Sequence, residues 1–356
     1  CLLGAVLLLY FHHDTFQLNA IVAHYQNAVA GYELSLAEKL AAFLIAQTAL
    51  IKCAQLPLHG WLIQVVEAPT PISALLHAGI INLGGFLLIS FAPLMSVAPI
   101  AQWTLLVVAG LSTLISALVM VTRISIKVRL AWSTCAQMGL MLIECALGLY
   151  ELALLHLLTH SVYKAYAFLS TGEAVHDHGL KQLVPQKKAT PYSAALCLSL
   201  ALAATAAIPL FTSYEGPISV WLLINTALAL YLISAFNQGR LLAWLTALVI
   251  SAALLGFYLI GKLLLGNLTP ELPHATILDA MDIWLMMLFI LLFVLTVQIR
   301  LFPQARGTQT LYRWLFSGLY LDEMMTRVTL QLWPVVLRPQ PYETQAGTSF
   351  REELRA

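Results

Sequence analysis

Runs of about 20 nearly uncharged, apolar residues recur along this chain, and a run of that length is what a helix needs to cross about 30 Å of hydrocarbon. In lipid every backbone N–H and C=O must be satisfied within the protein, so only helices and closed barrels can span it. The alternation of a membrane barrel, over segments of about ten residues, is absent. The pattern therefore predicts an all-α polytopic transmembrane bundle, with helices near 1–11 (a partial span), 36–67, 71–94, 98–121, 128–149, 151–173, 191–213, 217–236, 241–261 and 281–299. The 36–67 segment is too long for one simple span and contains Pro57, which removes a backbone donor. A discontinuous helix, broken inside the membrane, is expected there. Composition agrees: 60% of the residues are hydrophobic and 10% charged, where a soluble domain carries about 25% charged residues.

Lys and Arg (18) nearly balance Asp and Glu (17), for a net charge of +1, which removes the basic footprint of a nucleic-acid binder. Five cysteines without CxxC spacing argue against a zinc site or a disulfide framework. Alternating the spans puts Arg123, Lys127, Arg129, Lys181, Lys187, Lys188, Arg240, Arg300 and Arg306 on one side, while the other holds only Lys262 and Lys39. The positive-inside rule makes the first side cytoplasmic. The opposite, external side is acidic and histidine-bearing, at His12, His13, Asp14 and His24, then Glu271, His274, Asp279 and Asp282. Three regions follow: a transmembrane domain over 1–300, an amphipathic segment on the cytoplasmic face over 301–338 and a mobile tail over 339–356. Starting at Cys1 with about half a span, the chain reads as one that lacks upstream helices.

Ionisable groups inside a membrane are costly and are functional-site hypotheses by default. Lys52 lies near the middle of 36–67, five residues before Pro57, where a broken helix would free carbonyls and admit water. His156, His160 and Lys164 fall at i, i+4 and i+8, on one helix face and about 6 Å apart along the axis. Histidine passes protons near neutral pH, so such a row suits proton hopping. His77 is placed to link Lys52 to this row. Glu144 and Glu215 are acidic candidates nearer their span ends, Glu215 lying between Pro209 and Pro217 in a second broken region. Blander readings stand beside these. The histidines can be core residues bonded to a neighbouring helix, Lys52 can snorkel, Glu144 can be a solvated interfacial carboxylate, and Lys127, with Arg123 and Arg129, can simply set topology.

The stretches Ile51-Lys52-Cys53-Ala54-Gln55-Leu56-Pro57-Leu58-His59-Gly60-Trp61-Leu62 and Glu67-Ala68-Pro69-Thr70-Pro71-Ile72-Ser73-Ala74-Leu75-Leu76-His77-Ala78 resemble the antiporter-like membrane subunits shared by respiratory complex I and Mrp-type cation/proton antiporters. Ile126–Thr134 and His156–Ala165 continue the match, which covers about residues 1–300. Within that superfamily the chain looks most like the DabB subunits of two-component inorganic-carbon transporters. The features that favour them are the compact end after 281–299, the Gly318–Glu323 and Leu332–Pro334 patches, and no further membrane helix beyond them.

The resemblance implies a bacterial inner-membrane subunit that conducts protons, in preference to sodium. Lys52 matches the broken-helix lysine, His77 its neighbouring histidine, and Lys164 the central lysine with His156 and His160 alongside. It also implies a large zinc-bearing, DabA-like partner related to β-carbonic anhydrases. No cofactor or catalytic site is expected in this chain. Two departures stand out. The glutamate that pairs with the broken-helix lysine would lie upstream of Cys1, and no lysine stands near Pro209, where Glu215 would take its place. The rival readings are a proton-pumping subunit of an NADH:quinone oxidoreductase or an Mrp-type antiporter, a haem or metal protein using His156 and His160, and a passive anchor for a soluble partner.

Overall fold

The computed structural model describes residues 1–26, 32–173, 195–203, 216–236, 241–266, 272 and 278–334. Among them there is no strand, and the molecule is an all-α multi-pass bundle. Its helices are α1 (Leu2–His13), α2 (Leu18–Gln26), α3 (Leu36–Lys52), α4 (Gly60–Gln64), α5 (Thr70–Ala78), α6 (Leu83–Ser90), α7 (Ala92–Ser96), α8 (Pro99–Thr122), α9 (Ile126–Ala146) and α10 (Tyr150–Leu169). They continue with α11 (Ile218–Phe236), α12 (Leu241–Gly266), α13 (Ala280–Leu301), α14 (Arg306–Phe316) and α15 (Leu321–Leu332). A further helical stretch covers 195–203.

Among the described residues five segments are long and apolar enough to cross a membrane: Thr70–Ser90, Pro99–Thr122, Ile218–Ala235, Leu242–Gly266 and Ala280–Leu301. The long helices α9 and α10 carry Lys127, Glu144, Glu151, His156, His160 and Lys164. α9 runs along α8, and α10 packs one face against α5 and α9, turning His160 and Lys164 inward, where charged side chains are kept from lipid. By contrast, α12 is 11% buried over its apolar window and forms the periphery.

Small residues set the closest packing. On α3, Ala41, Ala42, Ala46 and Ala49 are fully buried against α1, α6 and α8, which lets backbones approach. Gly84 of α6 meets α3 so closely that a Cβ there would lie 2.5 Å from Cys53 Sγ and 2.8 Å from the Ala49 carbonyl. All five cysteines are free, and Cys53, Cys135, Cys145 and Cys197 are buried.

The break expected at Pro57 is present. α3 ends at Lys52 and helix resumes only at Gly60. Its freed groups are satisfied locally and across helices: Gln55 Nε2, within the break, donates to the carbonyls of Cys53 (2.8 Å) and of Cys135 on α9 (3.2 Å), and Leu56 N–H donates to Ser112 Oγ of α8 (3.0 Å). A break that is second along the chain, within 71–94, was not anticipated, since that run reads as one span; the broken region expected between Pro209 and Pro217 lies largely outside the described residues. α5 stops at Ala78, a short 3₁₀ turn covers Ile80–Asn82, and α6 begins at Leu83. Asn82 Nδ2 bridges it, donating to the Ala78 carbonyl and to Ser161 Oγ of α10, both at 2.7 Å.

Other departures concern the ends of the bundle. The 12–35 joint contains α2, which the sequence pattern passed over. Asp282, read as part of an acidic external face, is fully buried and accepts from the N–H groups of Ile218 (3.0 Å), Ser219 (2.8 Å) and Leu278 (3.1 Å). It thereby caps α11. The amphipathic segment is a helix pair, α14 and α15, joined through Gly318 at φ +66°, where a Cβ would approach the Arg123 guanidinium to 3.1 Å. The tail over 339–356, the 174–190 joint and Arg240 lie outside the described residues.

Candidate functional site: a buried lysine–histidine row

The centre of the site is Lys164 on α10, whose side chain is fully buried. Its ammonium donates to the Leu130 carbonyl at 3.2 Å and to Ser133 Oγ, both on α9. Ser133 Oγ in turn donates to the Leu130 carbonyl at 2.9 Å. Among the described residues the ion pairs are His12 and His13 with Glu38, and His156 with Glu144. Lys164 therefore has two neutral oxygens and no carboxylate. Two hydrogen bonds hold an ammonium in place without fixing its charge, whereas an adjacent carboxylate would favour the cation strongly.

One turn earlier on the same face stands His160, 3% exposed, and a turn before that His156, their ring centroids 6.2 Å apart. The i, i+4, i+8 spacing thus produces a continuous row. At its far end His156 Nδ1 lies 3.1 and 3.2 Å from the two carboxylate oxygens of Glu144 on α9. Glu144 is consequently a partner in the row and not a free interfacial carboxylate.

His77 joins from α5. Fully buried, it stacks on Phe168 of α10 at 4.4 Å between centroids and 19° between planes. Phe168 is one turn beyond Lys164, so the imidazole lies beside the lysine, just before the second break. Among the described residues no protein group hydrogen-bonds either ring nitrogen of His77 or of His160.

Lys52 is not gathered into this group. It is the last residue of α3, half-buried, and lines a cavity with Cys1, Leu2, Thr48, Ile51 and Trp61. The expected link from Lys52 to the row through His77 has no direct contact behind it among the described residues: Lys52 lines the cavity beside α1, and His77 stacks on Phe168 of α10. Lys127 does more than mark topology, since its ammonium donates to the Ala68 carbonyl at 3.1 Å and ties down the joint before α5. Glu215 lies outside the described residues.

Sequence reasoning missed Ser133, Asn82, Ser161 and Gln55. Polar residues inside apolar runs were the available signal for all four, but which helix each would meet was not contained in it.

Residues 1–246 match the family described as the NADH:quinone oxidoreductase/Mrp antiporter transmembrane family. A probable inorganic carbon transporter subunit DabB of Hydrogenovibrio crunogenus is 44% identical over 99% of this chain and 67% of its own length. A probable inorganic carbon transporter subunit DabB2 of Halothiobacillus neapolitanus is 35% identical over 94% of this chain and 62% of its own. The chain thus spans about two thirds of the curated relatives it matches. In three dimensions it resembles a chain of the Mrp complex from Dietzia sp. DQ12-45-1b, with a TM-score of 0.52, 20% identity and coverage of 93% of this chain and 43% of that one, a likeness of fold. The chain belongs to the NADH:quinone oxidoreductase/Mrp antiporter transmembrane family, on its DabB branch.

Proposed function

We propose that this chain is the cation-conducting membrane subunit of an inorganic-carbon transporter and that it moves protons in preference to sodium. The observation that carries this reading is Lys164, buried without a carboxylate and flanked by two imidazoles that no protein group engages. A lysine deep in a membrane protein costs a few kcal/mol, and buried polar atoms are nearly always partnered. Four unpartnered ring nitrogens beside that lysine suit water and a proton in transit. In this reading Lys164 is the central relay, His160 and His77 pass protons to and from it, the His156–Glu144 pair forms one mouth, and Lys52 at the Pro57 break is a separate gated site. Glu215 is a candidate for the other half of the route.

The names of the relatives support inorganic carbon as the transported substance of the whole assembly. The zinc chemistry would reside in a large DabA-like partner that interconverts carbon dioxide and bicarbonate, with this chain supplying the ion gradient's energy and no catalytic site. The basic joints support a cytoplasmic placement of that side in the bacterial inner membrane.

Lys164→Ala and Lys164→Gln in the assembled transporter test the proposal. Gradient-dependent accumulation of inorganic carbon should be abolished in both while the partner still co-purifies. Full accumulation in both would overturn it. Co-purification with iron–sulfur and quinone-binding proteins in place of a zinc protein would favour the oxidoreductase reading.

A further inference from the structure

Far from the lysine row, at the opposite end of α3 from Lys52, three short elements converge on one buried carboxylate. Glu38 is fully buried in the first turn of α3, where it closes a capping box with Ser35: its Oε2 accepts the Ser35 N–H at 2.6 Å, and Ser35 Oγ accepts the Glu38 N–H at 3.3 Å. Its other oxygen, Oε1, accepts from Tyr25 at 2.9 Å and Tyr32 at 3.0 Å. His12 Nε2 stands 3.3 Å and His13 Nε2 4.0 Å from that same oxygen. A third imidazole, His24, packs against His13 with centroids 4.9 Å apart. A capping box explains the glutamate but not the imidazoles turned towards it.

We propose that His12 Nε2, His13 Nε2 and Glu38 Oε1 form a binding site for a divalent transition-metal ion of the zinc class. The three donor atoms all lie within 4.8 Å of one another. A tetrahedral zinc ion with bonds of about 2.0–2.2 Å holds its donors roughly 3.3–3.5 Å apart, so the His12–Glu38 pair already has the required spacing and the remaining separations, none above 4.8 Å, close with shifts of roughly 1.5 Å or less. Two imidazoles and one carboxylate form a donor set that suits zinc and leaves a fourth position for water or for His24.

The surroundings supply what such a site requires. Ser35 and the tyrosine hydroxyls orient the carboxylate, as outer partners of metal ligands do. His12, whose side chain is 34% exposed, opens the cluster to solvent. Oε1 already accepts two tyrosine hydroxyls, and His13 Nε2 lies 2.8 Å from the Tyr25 hydroxyl. With the Tyr25 proton donated to Glu38, His13 Nε2 is the donor to the Tyr25 hydroxyl, so an arriving ion displaces that hydrogen bond and binds the Nε2 lone pair once the ring proton moves to Nδ1. Magnesium, which requires oxygen ligands, should not compete.

The test is calorimetric titration of Zn²⁺ into the full chain, purified in detergent without a polyhistidine tag, with Mg²⁺ as the control ion. One Zn²⁺ should bind per chain at this site and raise the melting temperature by ordinary ligand linkage. The double substitution His12→Ala/His13→Ala should weaken binding by at least roughly tenfold and remove the melting shift. The single variant His12→Ala removes the most exposed ligand and should weaken binding with no change in the metal-free melting temperature, which separates ligand loss from misfolding. Equal Zn²⁺ affinity in wild type and both variants would assign any binding to other histidines such as His156 and overturn the proposal. So would wild-type binding no tighter than millimolar.

Discussion

His77 and Phe168 lie ring on ring, 4.4 Å between centroids and 19° from parallel, which joins the C-terminal turn of α5 to the end of α10 directly beside Lys164. This contact holds the imidazole in place where no hydrogen bond does. A ring held by stacking alone keeps both nitrogens available, a condition that a proton relay requires and a core histidine does not.

Truncating the stack should therefore cost both stability and transport. Phe168 is fully buried, so Phe168→Ala should destabilise the bundle by about 3–5 kcal/mol. Phe168→Leu should retain most of the stability and still impair transport, because the imidazole loses its flat support. Thermal melting in detergent and gradient-dependent uptake in vesicles read the two effects separately. Normal uptake in Phe168→Leu would count against the positioning role.

Ser133→Ala removes one of the two oxygens on the Lys164 ammonium and leaves the Leu130 carbonyl. A hydrogen bond to a charged group is worth about 1.5–3 kcal/mol. Uptake should fall by roughly tenfold or more if that interaction positions the lysine for transfer, and the melting temperature should fall by a few degrees. An unchanged rate would show that Leu130 suffices.

Gly139 of α9 packs so closely on α8 that a Cβ would lie 2.2 Å from Thr113 Oγ1, 2.8 Å from Gln55 Oε1 and 3.0 Å from the Ala109 carbonyl. Gly139→Ala should push α8 and α9 apart next to the Pro57 break and destabilise by about 1–3 kcal/mol. Gly172→Ala, with open space at its Cβ, is the matched control and should melt like the wild type.

Asp282→Ala strips three N–H groups of their acceptor, two at the start of α11 and one, Leu278, just before α13. Leaving buried donors unmade costs about 1–3 kcal/mol each, so this variant should express poorly or melt well below wild type. Asp282→Asn retains acceptor capacity on one oxygen and should fall between the two. A melting temperature for Asp282→Ala equal to wild type would mean that water satisfies these donors.

Much of the architecture was legible from the chain alone. Apolar run length marks membrane helices because hydrocarbon thickness is fixed, and Pro57 marked the first break because a missing donor cannot be hidden in an apolar segment. The 71–94 run concealed the second break: neither Gly79 nor Asn82 forbids a helix, and only the bond from Asn82 to Ser161 on α10 gives the interruption a partner. The amphipathic segment was legible as one helix or two, and its division into α14 and α15 was not, whereas α2, nine residues long, is too short for periodicity to distinguish from a loop.

The row itself divides the same way. That His156, His160 and Lys164 share a face was settled by their spacing, since 3.6 residues per turn is a property of one helix and of nothing around it. That this face turns inward onto Ser133 and Leu130, that His77 joins it through Phe168, that Lys52 stays apart and that Asp282 serves as a cap were decided by how the helices rotate and pack against one another. Packing depends on side chains far apart in sequence meeting across an interface, and no local pattern in the chain encodes those meetings.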